Sequence, residues 1–373
     1  MPLSGGDMSI LQELDPPAYY GQITERGLID GFPEGLKYHR GNAVNCETSS
    51  IVFDGQNLIF ASDKPIPGKA RSSVFGFKLR YTSEGNLLTK PVFYITGFPF
   101  IHLRKLEDFT LTLDGKYIIA TTAFDRVKPK SAKWNPYNTI LIWPKGLHNR
   151  VKIVAASTVD GFTSSVSLRE KFSKALKTET FPDGVPYFKI EGLTVIPGNR
   201  LLFGIREMGK TYKNFNYAIK IIEVSYKISG AQLYFTSEFK LIYEYTPAPD
   251  LNLARTVGLS SLEYDRFNKY IYMTTSFEKG EEGKVADEDL GGYLWIIPMH
   301  YLSSGKSPIL VRKAGSERPL LFAHKVEGVS VITKKRVILI HDDDRVLGRK
   351  SVVNPEIQFS RNPHQAAYTI VDF

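Results

Sequence analysis

Apolar and polar positions alternate along most of this chain in short runs, and the runs come in pairs joined by tight polar turns. Five stretches line up: NCETSSIVFDGQNLIFASD from Asn45, RKLEDFTLTLDGKYIIATTAFD from Arg104, FKIEGLTVIPGNRLLFGIRE from Phe188, RTVGLSSLEYDRFNKYIYMTTSFE from Arg255, and HKVEGVSVITKKRVILIHDDD from His324. Each reads as an alternating strand, a turn, and a strongly apolar second strand, which is a β-hairpin signal. The turns are Asp54-Gly55, Asp114-Gly115, Gly198-Asn199, Asn268-Lys269 and Lys334-Lys335. In IEGLTVI, Leu193 and Val195 fall on one face, with Thr194 and Ile196 on the other. The second strand of that unit, LLFGI, is apolar on both faces, which predicts burial between neighbouring sheets.

From Glu47 to Glu107, Glu191, Val257 and Glu327 the units recur every 60 to 84 residues. That leaves room for one four-stranded blade each, a longer period than a solenoid's. SVFGFKLRY, NTILIWPK, YAIKIIEVSY, GGYLWIIPM and AAYTIVDF supply further strands. The expected fold is all-β, a five-bladed β-propeller, with a sixth blade in the longest gap as the alternative. Residues 31–373 read as a single propeller domain and 1–30 as an N-terminal extension that partly serves as a closing strand. AYYGQI is expected to pair in the last blade, or AAYTIVDF to complete it. One helical pattern interrupts the strands: SLREKFSKALKTE, near 167–179, carries Leu168, Phe172 and Leu176 at i, i+4 and i+8. It reads as an insertion capping the propeller.

Composition narrows the picture modestly. The 373 residues are 42% hydrophobic, so the chain can bury a core and is not of a disordered type. No run of 18 apolar residues predicts a membrane-spanning helix. The formal charge of +9 favours anionic partners, but the basic residues are scattered in short clusters at Lys37–Arg40, Lys128–Lys133 and Lys334–Arg336. None forms the basic, aromatic-interleaved stripe that a nucleic-acid binder needs. A monomer with an anionic small-molecule partner, or none, is expected. Cys46 stands alone, so there is no disulfide framework, and a small buried residue is the better reading than a nucleophile. Met1–Ile10 lacks export-signal features. A periplasmic or secreted location is expected if a signal has been removed.

Candidate chemistry concentrates at the hairpin entries. Glu47, Glu107, Glu191 and Glu327 each sit seven residues before the turn of their unit; the fourth unit has Val257, Gly258 and Leu259 there, leaving a carbonyl or Ser260 to offer oxygen. In a propeller these positions converge on the axis, where carboxylates repel unless neutralised. Hard oxygen donors of mixed type suit Ca²⁺. The competing reading is that each Glu caps backbone N–H groups or pairs with Lys105, Lys189, Arg255 or Lys325. A one-residue slip would put Thr48 or Cys46 in the place of Glu47. Arg40, Arg104, Lys189, Arg255 and Lys325 precede the units and Arg206 follows the third hairpin, a set that reads either as a phosphate-binding rim or as charge balance. Asp342, Asp343 and Asp344 read as a second cation site or as an exposed turn. GIREMGKT, Gly204–Thr211, spells a P-loop, but no helix pattern follows, and no catalytic residue is identifiable.

The lines IEGLTVIPGNRLLFGIRE and KVEGVSVITKKRVILIHDDD resemble the recurring units of esterase-like phytase-domain propellers and of a related bacterial propeller family of unknown function. The resemblance spans roughly Glu47 to Asp344. A more distant similarity is to soluble calcium-activated nucleotidases, which implies Glu107, Glu191, Ser260 and Glu327 as calcium ligands, with Thr48 or Glu47 completing the set. The expectation is a calcium-centred propeller that binds a phosphorylated small molecule and hydrolyses it. The alternative is a non-enzymatic scaffold that binds protein or glycan, with a purely structural axial site.

Overall fold

The computed structural model describes residues 19–64, 66–67, 72–81, 87–88, 92–128, 131–251, 253–279, 286, 289–352 and 354–373. The export-signal reading at Met1–Ile10 and part of the Lys128–Lys133 cluster lie outside them.

Five sheets, antiparallel but for one short parallel pairing of Tyr20 and Gly21 with Arg312 and Lys313, form a five-bladed β-propeller. The inner strands are Thr48–Phe53, Leu106–Leu111, Tyr187–Ile196, Gly258–Asp265 and Val326–Thr333, each paired with the apolar second strand of its hairpin. The turns lie where the sequence marks them: Gly55, Gly115, Gly198, Asn199 and Lys269 have φ between +54° and +98°, the left-handed region that tight hairpins use. Inner strands neighbour one another in the closed order one-two-three-four-five-one. The ring is closed in blade five, where Tyr20–Asp30 pairs with Gln365–Asp372, which pairs with Arg336–His341. Both terminal strands named from the sequence therefore meet in the same blade.

Because each sheet is apolar on both faces, the core divides into wedges between adjacent blades. Phe109 and Trp143 lie between blades one and two, Trp295 and Leu259 between three and four, and Phe60 and Tyr368 between five and one. The long gap after blade two holds no sixth blade among the described residues. It carries a two-stranded hairpin and a short helix, Arg169–Ala175, preceded by the 3-10 turn Val166–Leu168. The helix is shorter than the 167–179 pattern because a turn at Thr178–Phe181 ends it. Leu168, Phe172 and Leu176 are buried as the pattern requires, and Phe172 packs edge-on against Phe124, Phe203 and Phe239. The helix thus fills the wedge between blades two and three instead of capping the propeller.

The blades are also tied by a repeated hydrogen bond. Thr110, Thr194 and Ser330 accept the N–H of Val195, Tyr264 and Phe53 from the next inner strand around the ring. Glu263 accepts the N–H of Val331 at the fourth interface. Asp108 knots three blades together: its Oδ2 accepts from the N–H of Leu193, the N–H of Leu262 and the hydroxyl of Ser261.

The glycine of the EGL unit has a packing reason. Gly192 and Gly204 face each other across the blade-three hairpin, and Leu259 of blade four projects into the hollow. A Cβ on Gly204 would lie 2.3 Å from Leu259 Cδ2 and 3.0 Å from the Gly192 Cα. Gly204→Ala is expected to cost about 1–3 kcal/mol by overpacking, and Leu259→Ala about 2–5 kcal/mol by leaving a cavity. The double variant should be less destabilised than the sum, because the added methyl occupies vacated space. Urea midpoints at unchanged m-value measure all three.

Candidate functional site

All five inner strands begin with a β-bulge, an extra residue that turns a side chain out of the ladder and re-aims it. The bulged residues are Ser49, Glu107, Glu191, Ser260 and Glu327, each lying between two consecutive register partners. The structure therefore brings Glu107, Glu191, Ser260 and Glu327 to equivalent positions, and all are buried. The fifth equivalent is Ser49, not Glu47 or Thr48. Counting back seven residues from the turn fails in blade one because its bulge lies nearer the turn: Ser49 stands five residues before Asp54, as Ser260 does before Asp265. Ser49 Oγ donates to the Leu106 carbonyl and Thr48 Oγ1 to the His341 carbonyl, at 3.1 Å.

Two residues before each bulge the chain carries Glu47, Lys105, Lys189, Gly258 and Lys325. Lys105, Lys189 and Lys325 thus bring their ammonium groups to the glutamates two residues on. Lys189 Nζ contacts Glu191 Oε1 and lies 3.6 Å from Glu107 Oε1; Lys325 Nζ is 3.3 Å from Glu327 and 2.8 Å from Glu278. Lys105 Nζ stands 3.8 to 3.9 Å from Asp63, Glu107 and Asp125.

Blade four departs from this pattern, and the departure admits Arg206. A Cβ on Gly258 would come 2.7 Å from Arg206 Cγ, so only glycine leaves space for that side chain. Arg206, 1% exposed, donates to Ser260 Oγ at 2.6 Å and Ser276 Oγ at 2.8 Å, and lies 3.2 Å from Glu191 Oε2. Ser276 in turn donates to Glu327 at 3.3 Å. The cation among Glu191, Ser260 and Glu327 is thus the protein's own guanidinium.

The second strands contribute a further acidic tier that sequence reading overlooked. Asp63 and Asp125 follow them, Glu278 ends one and Glu207 lies within Arg200–Thr211, as the acidic residue closing each of the five aligned units signals. Asp342, Asp343 and Asp344 occupy the same place in blade five, but they diverge. Asp343 is held by His324 Nδ1 at 2.7 Å, and Asp344 lies 3.4 Å from Lys325. Asp342, buried, joins Glu47 and Asp63, with one oxygen of each within 4.8 Å of the others. The run is therefore not an exposed turn, nor a single three-aspartate site.

Among the described residues this end of the axis collects ten carboxylates, namely Glu47, Asp63, Glu107, Asp125, Glu191, Glu207, Glu278, Glu327, Asp342 and Asp344, against the cations Lys64, Lys105, Arg126, Lys189, Arg206 and Lys325. The proton affinities follow that excess. Burial, reinforced by Glu191, raises the Glu327 carboxyl to about 8. Burial and the neighbouring Asp344 push Asp342 well above the usual carboxylate range. For Glu191, the opposing pull of Arg206 and Lys189 outweighs burial and lowers it. Burial also pushes up the thiol of Cys46.

The remaining basic candidates are elsewhere or occupied. Arg40 is exposed, Arg104 donates to the His102 and Leu103 carbonyls, and Arg255 lies 3.3 Å from Asp289. They do not form a free cationic rim. Gly204–Thr211 lies within the strand Arg200–Thr211, and a strand follows it rather than the helix a P-loop needs.

No family model matches this chain, and no curated protein does. The likeness to phytase-domain and nucleotidase propellers thus gains no support from either comparison. Solved structures similar to it include a DUF4221 family member from Bacteroides vulgatus, at 7% identity and TM-score 0.39, covering 95% of this chain and 99% of that one. A calcium structure of a Trichoderma reesei carbohydrate-active enzyme of family AA12 matches at 10% identity and TM-score 0.40, covering 96% and 99%. A PQQ-bound aldose sugar dehydrogenase from Streptomyces coelicolor matches at 12% identity and TM-score 0.38, covering 96% and 100%. Likenesses this distant assign no activity.

The Arg206–Glu191 pair is expected to behave as a buried ion pair. Arg206→Met should cost about 3–5 kcal/mol by leaving Glu191 uncompensated, and adding Glu191→Gln should recover much of that loss. Chemical denaturation of the two single variants and the double variant reads the coupling directly.

Proposed function

We propose that this propeller binds one hard divalent cation, calcium by its donor set, at the Glu47–Asp63–Asp342 cluster, and that an anionic small molecule, a phosphate ester foremost, is recruited to the metal. The supporting observation is that carboxylates from three separate chain segments converge within 4.8 Å, with Lys105 3.8 Å from Asp63 on one side. Lys64 alone meets Glu47 closely, at 2.6 Å, and it is 38% exposed. Asp63 keeps a buried Oδ1 without a hydrogen-bond partner. Oxygen-only donors of this kind suit calcium, which takes six to eight oxygen ligands. Three carboxylates leave positions for water and for a ligand's oxygens.

The bulge-ring residues Glu107, Glu191, Ser260 and Glu327 play another part in this reading. They are compensated by Lys105, Lys189, Arg206 and Lys325, and hold the axis rigid beside the metal. A bound cation would polarise a phosphoryl oxygen and lower the charge of the anionic site. Glu47, Asp63 and Asp342 would hold it, while Lys325 and Lys64 offset their remaining charge. A scaffold function, with an axial site that is purely structural, draws on one observation: the bulge ring is already saturated by its own cations.

Calcium at a hundredfold excess over its Kd should stabilise the chain by about 2.7 kcal/mol, a rise of several degrees in Tm that EDTA reverses. Glu47→Gln with Asp342→Asn should abolish the rise, as differential scanning fluorimetry would report. An unchanged Tm in calcium would defeat the cation reading. A calcium response without binding or turnover across a phosphate-ester panel would favour the scaffold.

A further inference from the structure

The other end of the same axis offers a different environment. There the hairpin turns of blades one, two, four and five surround a cavity of about 260 Å³. Its walls are largely apolar, formed by Phe53, Leu111, Tyr264, Phe267, Val331 and Ile332, and Glu263 of blade four sits among them.

Glu263 is one more carboxyl than the fold requires at this position. Three residues after each bulge the chain has Val52, Thr110, Thr194, Glu263 and Ser330. At Thr110, Thr194 and Ser330 a single hydroxyl accepts the neighbouring strand's N–H. Glu263 does the same for Val331. A threonine would serve that role, so the carboxylate brings a second oxygen and a charge that blade packing does not use. Among the described residues no cation makes a contact ion pair with it. Lys145 donates to the Asp54 carbonyl at 3.2 Å, and Arg266 is exposed and acts on Glu263 only through space. Asp54, also in the cavity wall, spends its carboxylate on the turn, accepting from Gln56 and Asn57. Burial dominates at Glu263, raising its carboxyl to about 8 despite Arg266, as for an acid lacking its counter-cation.

We propose that this cavity is a second binding site, separate from the acidic cluster, for a small organic cation: a primary amine on an apolar or aromatic body, with its ammonium donating to Glu263. The volume sets the size. A dry cavity of about 150 Å³ takes benzene, so this one has room for a ring bearing a short aminoalkyl arm. Phe53, Leu111 and Val331 would cover the ring, and the ammonium would supply the charge partner that Glu263 lacks.

The experiment is isothermal titration calorimetry of the full chain in EDTA, which removes any contribution from the metal site. The probes are phenethylamine, the near-isosteric neutral 2-phenylethanol, and phenylacetate. The amine should bind at one site, at least tenfold more tightly than either comparator. Glu263→Thr keeps the acceptor for Val331, so it should leave Tm nearly unchanged while lowering amine affinity at least tenfold. Glu263→Gln should show the same loss, which keeps the test valid if the threonine variant folds poorly. Equal binding of the alcohol, preference for phenylacetate, undiminished amine binding by both variants, or no binding of any probe would each overturn the proposal.

Discussion

Burying carboxylates on the axis is the constraint around which the rest of this propeller is arranged. Each inner strand bulges where it nears the axis, and in three of five blades the bulged residue is glutamate. Removing such a group from water costs several kcal/mol unless a cation and hydrogen bonds replace the solvent. The chain answers with lysines two residues earlier, whose ammonium groups meet the glutamates. Lys189 spans Glu107 of one blade and Glu191 of the next, so charge compensation also ties neighbouring blades together.

Departures from this repeat say most about function. Blade four replaces both charges, with Gly258 above and Ser260 below, and Arg206 enters the space from the adjacent blade. Blade one inverts the pattern, with an acid at Glu47 where blades two, three and five have a lysine, and a serine at the bulge. Two acidic neighbours, Asp63 and Asp342, then meet Glu47, with Lys105 of the repeat 3.8 Å from Asp63. The local charge excess thus arises from one blade breaking a rule that its neighbours keep.

The two ends of the axis differ in kind. At the strand entries, bulges and second-strand exits crowd charged groups together. At the turn end, apolar side chains and hydroxyl-to-backbone bonds prevail, and Glu263 is the exception among Thr110, Thr194 and Ser330. Pseudo-symmetry makes such exceptions readable, because the other blades show what packing alone demands at that point.

The amino-acid sequence by itself determined the hairpins, their turns and the number of blades, since alternation and turn chemistry are local and every copy repeats them. It also placed Glu107, Glu191 and Glu327 at equivalent positions. It misplaced the first and fourth copies, counting Glu47 and Val257 where the bulges fall at Ser49 and Ser260, because the number of residues between bulge and turn differs among the blades. Asp63, Asp125 and Glu278 were visible as unit-final acids, but nothing local says that second-strand exits reach the axis. Only the tertiary structure decided which cation meets which carboxylate. Arg206 reaches Ser260 across 54 residues of chain, and Asp342 approaches Glu47 only once the ring has closed. Charge compensation acts over a few ångströms, so it depends on which side chains the closed ring makes neighbours, whatever their separation along the chain.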